Sequence, residues 1–379
     1  MAVNEIPKVT IQGMKNIVKW QVVLLDHVCI FEGTFGSAKS KAMQQVVSEL
    51  NEPGALEALL GEKIWFTPLA GGAKQKYKGI ILCDIRLGGY DGVDMRGTPW
   101  PDKTTGMTRW FAPATMPFVG NDAFPEDYII LIFFDEYNMA KEDVFGVLYQ
   151  IVNDRAAGEH KFGHNVRMAL AGNLSTDHGI VHETPMPLNN RTSHYETTLS
   201  APEWCEWANG SGKIPPIFVA FLSVPTNQEL LNTYNSKTPT PIVATARTIE
   251  KAAEIYTSDM PEELKRLAMN ATVGTGWTAQ FMGFHDVWRK VIPLRKIIAD
   301  PEGVPLPDEL DMLYATVITV ASGMEVKTID PLYKFLTRLD AMYVVLAMTM
   351  ATQRDKALYG TNVFIKDYTK RYREVYNRV

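Results

Sequence analysis

The segment Phe31 to Met43 reads FEGTFGSAKSKAM. It sets Gly33, Lys39 and Ser40 at the spacing of the phosphate-loop pattern G-x-x-x-x-G-K-[ST], with Ala38 where that pattern has its second glycine. Such a segment can do phosphate chemistry. Backbone amides in a tight loop, followed by a helix N-terminus, meet negative oxygens with fixed donors and an aligned dipole. Gly33, Thr34, Phe35, Gly36, Ser37 and Ala38 would form the cradle of a nucleoside triphosphate. Lys39 would reach the terminal phosphates and Ser40 would bind Mg2+. Ala38 is expected at negative φ at the onset of the helix, where its methyl group does no harm and its helix propensity helps. The same residues also describe a flexible glycine–serine turn before an ordinary helix, and the motif alone leaves both readings open.

Asp135 and Glu136 follow six consecutive apolar residues, Ile129 to Phe134. Carboxylates ending a buried strand are costly unless something at its tip uses them. Asp135 is placed to help hold the magnesium, and Glu136 to polarise a water toward a γ-phosphate; termination of the strand by charge is the alternative. Asn173 ends the next apolar run behind Ala171-Gly172 and can reach the same water, or serve as a turn residue. Arg191 and Arg155 lie far in sequence from the glycine loop. Either suits a trans-acting finger at a subunit boundary, with Arg191 preferred and Arg155 in reserve, and either suits a structural ion pair. Arg247 opens a later helical region and can touch phosphates from there.

These residues need a scaffold that brings strand ends together. The pattern predicts a helix over 15–25, a strand over 27–32 and a helix over 39–50. Further strands are expected at 78–85, 127–136 and 165–173, with a helix at 140–154. The glycines and prolines of 86–102 forbid a regular element there. The fold class is therefore α/β, a parallel sheet flanked by helices with its active loops at the carboxyl ends of the strands. From Ala244 the pattern turns helical: 244–256, 261–270, 275–297, 308–322 and 330–355. Three domains follow: 1–240 binding nucleotide, 241–330 as a helical lid, and 331–379 as a C-terminal helical extension.

Composition narrows the function classes. The chain has 379 residues, 46% of them hydrophobic, and a net charge of -5, so no global cationic field draws it to nucleic acid. Three unpaired cysteines and an N-terminus without an apolar targeting region point to a reduced cytoplasmic setting with no membrane insertion. His160/His164 and His178/His182 have i,i+4 spacing, but loop hydrogen bonding suits them better than zinc. Trp277, Phe281, Phe284 and Trp288 fall at helical spacing and are expected to pack within the helical region.

The ordered series resembles an AAA+ ATPase of the MoxR-like group, particularly short phage and bacterial members. The residues that carry the likeness are Ala38-Lys39-Ser40, GVDMRGTPWPD (92–102), LIFFDEYNMA, YQIVNDRAAGEHKF, MALAGN and PLNNRTSH. Further likeness lies in ATARTIEKAAEI (244–255) and ATVGTGWTAQFMGF (271–284). The resemblance implies a P-loop core with a helical lid, ATP and Mg2+ as ligands, and ATP hydrolysis. It places magnesium on Ser40 and Asp135, water activation on Glu136, a sensor at Asn173, the finger at Arg191 and a second sensor at Arg247. It also implies a homo-oligomeric ring, usually hexameric, that remodels a protein partner, often one with a von Willebrand factor A domain, in a bacterial or phage-infected cytoplasm. Phe31-Glu32-Gly33-Thr34-Phe35 departs from the group's glycine-proline-rich form. Alternatives are a nucleic-acid motor or helicase loader, and a structural assembly factor that binds ATP with little turnover.

Overall fold

The computed structural model describes residues 5–61, 77–175 and 182–372. Its strands are, in chain order, β1 (Lys8–Thr10), β2 (Cys29–Glu32), β3 (Ile80–Arg86), β4 (Thr98–Asp102), β5 (Met107–Phe111), β6 (Ile129–Asp135), β7 (Ala156–Ala157), β8 (His160–Lys161), β9 (Val166–Gly172) and β10 (Ser193–Thr198). Among them run α1 (Ile11–Ile17), α2 (Lys39–Leu50), α3 (Ala55–Leu60), α4 (Gly92–Arg96), α5 (Glu142–Asp154) and α6 (Met186–Asn189). One sheet has the order β1-β10-β2-β9-β6-β3 and is parallel throughout. The chain divides into two compact units, Met1–Leu199 and Ser200–Val379.

The centre of the sheet explains itself from sequence. All seven residues of β6 are buried, and successive side chains enter opposite faces. Ile130, Ile132 and Phe134 join one core with Val144, Leu148 and Ile151 of α5. Ile129, Leu131 and Phe133 join the other with Ala42, Met43 and Val46 of α2. Burying each of these large side chains contributes on the order of 1.5–3 kcal/mol. The expected helix at 39–50 coincides with α2, and β6 falls inside the expected 127–136.

Two expectations are corrected. Residues 86–102 are regular, with a 3-10 turn at Leu87–Gly89, then α4 and then β4, which pairs antiparallel with β5. Pro99 and Pro101 are two residues apart, so both ring nitrogens face the same edge, which a two-stranded ribbon can turn to solvent. The helices expected at 275–297 and 330–355 are each interrupted.

The second unit is helical: α7 (Ala201–Ser211), α8 (Pro216–Ser223), α9 (Ala246–Thr257), α10 (Glu262–Val273), α11 (Thr275–Trp288), α12 (Leu294–Ala299), α13 (Leu310–Ser322), α14 (Ile329–Leu336) and α15 (Ala341–Arg354). Pro293 stops one interrupted segment and starts α12; Asp340 stands at the head of α15. Trp277, Phe281 and Phe284 of α11 are buried, as expected of packing residues, against Phe218 and Phe221 of α8. The Trp277 indole N–H donates to the Leu230 carbonyl at 3.1 Å. Helices α7 and α8 pack against α15 and α13, respectively, so they belong with the later helices. Among the described residues no helix is long and apolar enough to cross a membrane.

Candidate functional site

Strand β2 delivers the chain to Gly33, whose amide donates to the Gly172 carbonyl of β9 at 3.2 Å. A Cβ at Gly33 would stand 2.5 Å from the Thr197 carbonyl oxygen of β10, a backbone atom that cannot give way. The Thr197 hydroxyl, also buried, donates to the Glu32 carbonyl at 3.1 Å. Position 33 is therefore restricted to glycine by the neighbouring strand. The loop turns through Gly36 at φ +74° and Ala38 at φ +65°. The left-handed Ala38 corrects the expectation of negative φ. Its methyl group crowds its own backbone there, at a cost of roughly 1–2 kcal/mol. Helix α2 then begins with no side-chain cap, which leaves its first turn suited to an anion.

Lys39 is the first residue of α2, and its side chain bends back over the loop. Its ammonium donates to Gly33 O at 2.7 Å, Thr34 O at 3.2 Å and Ser37 Oγ at 3.1 Å, and the residue is only 8% exposed. Ser40 Oγ donates to Asp135 Oδ2 at 2.6 Å, and Asp135 Oδ1 accepts the Glu136 amide at 3.0 Å. Glu136 is itself left-handed at φ +55°, with its carboxylate beside Gly88. Strained backbone of this kind gathers where a fold over-determines a position.

Asn173 follows β9. Its amide donates to Asn138 Oδ1 at 3.2 Å, and its carbonyl accepts from Asn138 Nδ2 at 2.7 Å. Lys39, Ser40, Asp135, Glu136 and Asn173 thus stand at the carboxyl ends of three strands that are adjacent in the sheet, β2, β9 and β6. Sequence reading missed Thr197, Tyr137 and Asn138. Asn138 carried a signal, being a polar residue two places after Glu136 that proves to be 1% exposed.

The arginines lie elsewhere. Arg191 precedes Ser193, which pairs with Cys29 at the amino end of β2. Its guanidinium is exposed, lies over the Tyr149 ring at 5.0 Å, donates to Pro187 O at 2.9 Å and bonds the Asn153 side chain. Arg155 is at the same amino-terminal side: it bonds the Val166 carbonyl and pairs with Asp26 at 3.2 Å. Both terminal nitrogens of the Arg155 guanidinium therefore serve the fold. Arg247 belongs to the helical unit, exposed in the first turn of α9, where a cation opposes the helix dipole.

Partial desolvation, and then the Asp135 charge, push the Asp84 carboxyl on neighbouring β3 above its ordinary range. Among the described residues no three His, Cys, Asp or Glu side chains cluster as a metal cage. Magnesium does not need one, because it takes one or two carboxylates together with substrate phosphates and waters. Adjacent ligands around it lie about 2.9 Å apart for bonds of 2.0–2.1 Å. The Ser40–Asp135 pair, at 2.6 Å, fits after a few tenths of an ångström of opening. The Nε2 atoms of His160 and His164 are buried without hydrogen bonds, contrary to expectation. The His160 ring packs instead on Phe118, at 5.2 Å between centroids. His178 lies outside the described residues.

Comparison with protein-family models and with curated proteins found no match to this chain. What stands on the geometry is a parallel α/β sheet of P-loop-like topology followed by a helical region. This architecture is compatible with nucleotide binding and with enzymatic activity in general.

Proposed function

We propose that this chain is a magnesium-dependent ATPase of AAA+ type, similar to the MoxR-like group, acting as a homo-oligomeric ring on a protein partner. The observation that carries the reading is the convergence at the carboxyl ends of the interior strands β2, β9 and β6. Lys39 and Ser40 open an uncapped helix, and Ser40 is bonded to the acidic tip of β6 at 2.6 Å. The triphosphate would lie along the loop amides, with Lys39 released from the Gly33 carbonyl to the terminal phosphates. Ser40 and Asp135 would hold Mg2+, which neutralises charge on the phosphate oxygens when bound. Glu136 accepts a proton as water attacks the γ-phosphorus and ADP departs; Asn173 orients that water.

Further parts of the proposal concern the assembly. Arg191, exposed on the far side of the sheet, acts on the site of an adjacent subunit. Arg155 is the weaker choice, because its charge is already paired with Asp26. Arg247 senses nucleotide from the helical unit, whose part from 241 to 330 acts as the lid and 331–379 as an extension. Its exposed place in the first turn of α9 supports a binding role over a stabilising one. The partner is a protein of the kind that carries a von Willebrand factor A domain, and the setting is cytoplasmic.

The test is Glu136→Gln, with phosphate release, nucleotide affinity and particle size measured together. Hydrolysis is expected to fall by about 10²–10⁴-fold. ATP binding should persist, and the assembly should be at least as stable. Loss of ATP binding in this variant contradicts the role of Glu136, and wild-type protein that binds ATP without releasing phosphate contradicts the enzyme reading.

A further inference from the structure

Tyr137 immediately follows Glu136, and Glu32 immediately precedes Gly33. Glu32 ends β2 and Tyr137 opens the turn after β6, and the two side chains meet. The Tyr137 ring is fully buried; its hydroxyl donates to Glu32 Oε1 at 2.6 Å and lies 2.7 Å from Thr184 Oγ1. Packing alone gives no reason for this arrangement, since phenylalanine fills the same space without a buried hydroxyl to satisfy. The next residue extends the pattern. Asn138 holds both the amide and the carbonyl of Asn173, while its own carbonyl accepts the His182 amide at 2.7 Å. Beyond Thr184, its carbonyl accepts Asn189 Nδ2 at 3.1 Å at the end of α6, two residues before Arg191. Asp135, Glu136 and Asn173 are thus each one or two steps from Tyr137 or Asn138.

We propose that Tyr137, with Glu32 as its acceptor, is a positioning residue. It ties the phosphate-loop strand to the left-handed backbone of Glu136 and, through Thr184, to the segment that carries Arg191. This inference rests on the ATPase reading and adds a residue pair to it. The hydroxyl fixes where the Glu136 main chain sits, and a misplaced general base loses rate while nucleotide affinity is kept.

The experiment compares Tyr137→Phe, Glu32→Gln and Glu32→Ala in the full chain. Steady-state kinetics are read alongside binding of a fluorescent ATP analogue and thermal melting. Tyr137→Phe is expected to lower kcat about 10- to 100-fold with KM and analogue affinity little changed. Glu32→Gln retains an acceptor oxygen and should stay near wild type, whereas Glu32→Ala should match Tyr137→Phe. A purely structural contact would shift the melting temperature and leave kcat of the folded protein alone, and that result overturns the proposal. So does equal damage from Glu32→Gln and Glu32→Ala. Should Tyr137→Phe fail to fold, the Glu32 pair decides: folded Glu32→Ala with wild-type kcat overturns it. Wild-type protein that binds no analogue defeats the ATPase reading and this inference together. A working wild type with an unaffected Tyr137→Phe defeats the inference alone.

Discussion

Ala38 shows how one backbone angle tests a site. Its left-handed conformation favours glycine, which is the residue that the phosphate-loop pattern has there. Replacing it, Ala38→Gly relieves roughly 1–2 kcal/mol of strain. The unfolded chain's added freedom takes back about 0.4–1 kcal/mol. The expected outcome is a net gain of about 0.5–1 kcal/mol in denaturant unfolding, with ATP affinity unchanged or tighter. Ala38→Val should lose stability in the same assay. Lys39, Ser40, Asp135 and Glu136 were legible in the sequence because their pattern is local and each follows an apolar strand. The angle at Ala38 was not, because helix propensity describes residues inside a helix and Ala38 is the residue just outside it. Tyr137 and Thr197 were hidden for a different reason: their partners lie on other strands.

At the scale of elements, apolar runs announced β6 and β9, and both were found. Strand β10 was not, since Ser193–Thr198 reads SHYETT and only Thr197 is buried. Its place is fixed by register, Ser193 opposite Cys29 and Glu196 opposite Lys8, which no single-strand pattern encodes. The ribbon β4–β5 was hidden by prolines that a local rule takes as breakers. Strand β9 yields an expectation of its own. A Cβ at Gly172 would stand 2.6 Å from Asn138 Oδ1 and 2.7 Å from a Tyr137 ring carbon. Gly172→Ala is therefore expected to cost about 1–3 kcal/mol in unfolding experiments and to lower turnover by displacing Asn138 from Asn173. Unchanged stability would mean that this corner repacks freely.

For the whole molecule, the ring proposal has a direct check. Glu136→Gln lacks the base and Arg191→Ala lacks the finger, so each is expected to be nearly inactive alone. Mixed in equal amounts, they should regain a measurable part of the phosphate release, because some interfaces then combine an intact Glu136 with a neighbour's Arg191. No recovery on mixing would place Arg191 outside the shared site. A second check concerns the cysteines. Burial pushes the Cys29, Cys83 and Cys205 thiols up to about 12, so all three stay protonated at pH 8. A thiol-alkylating reagent should leave the native protein unlabelled and modify all three once it is denatured. Labelling of the native chain would reveal a local opening of these cores.

The crowding of Gly33 by Thr197 changes how mutational scans of this region should be interpreted. A bulkier residue at 33 wedges two strands apart before any ligand arrives, so a dead variant there diagnoses architecture, not recognition. Lys39 reaches the same loop through a movable side chain that also bonds Gly33 O, Thr34 O and Ser37 Oγ, so a substitution there removes loop contacts together with any contact to phosphate.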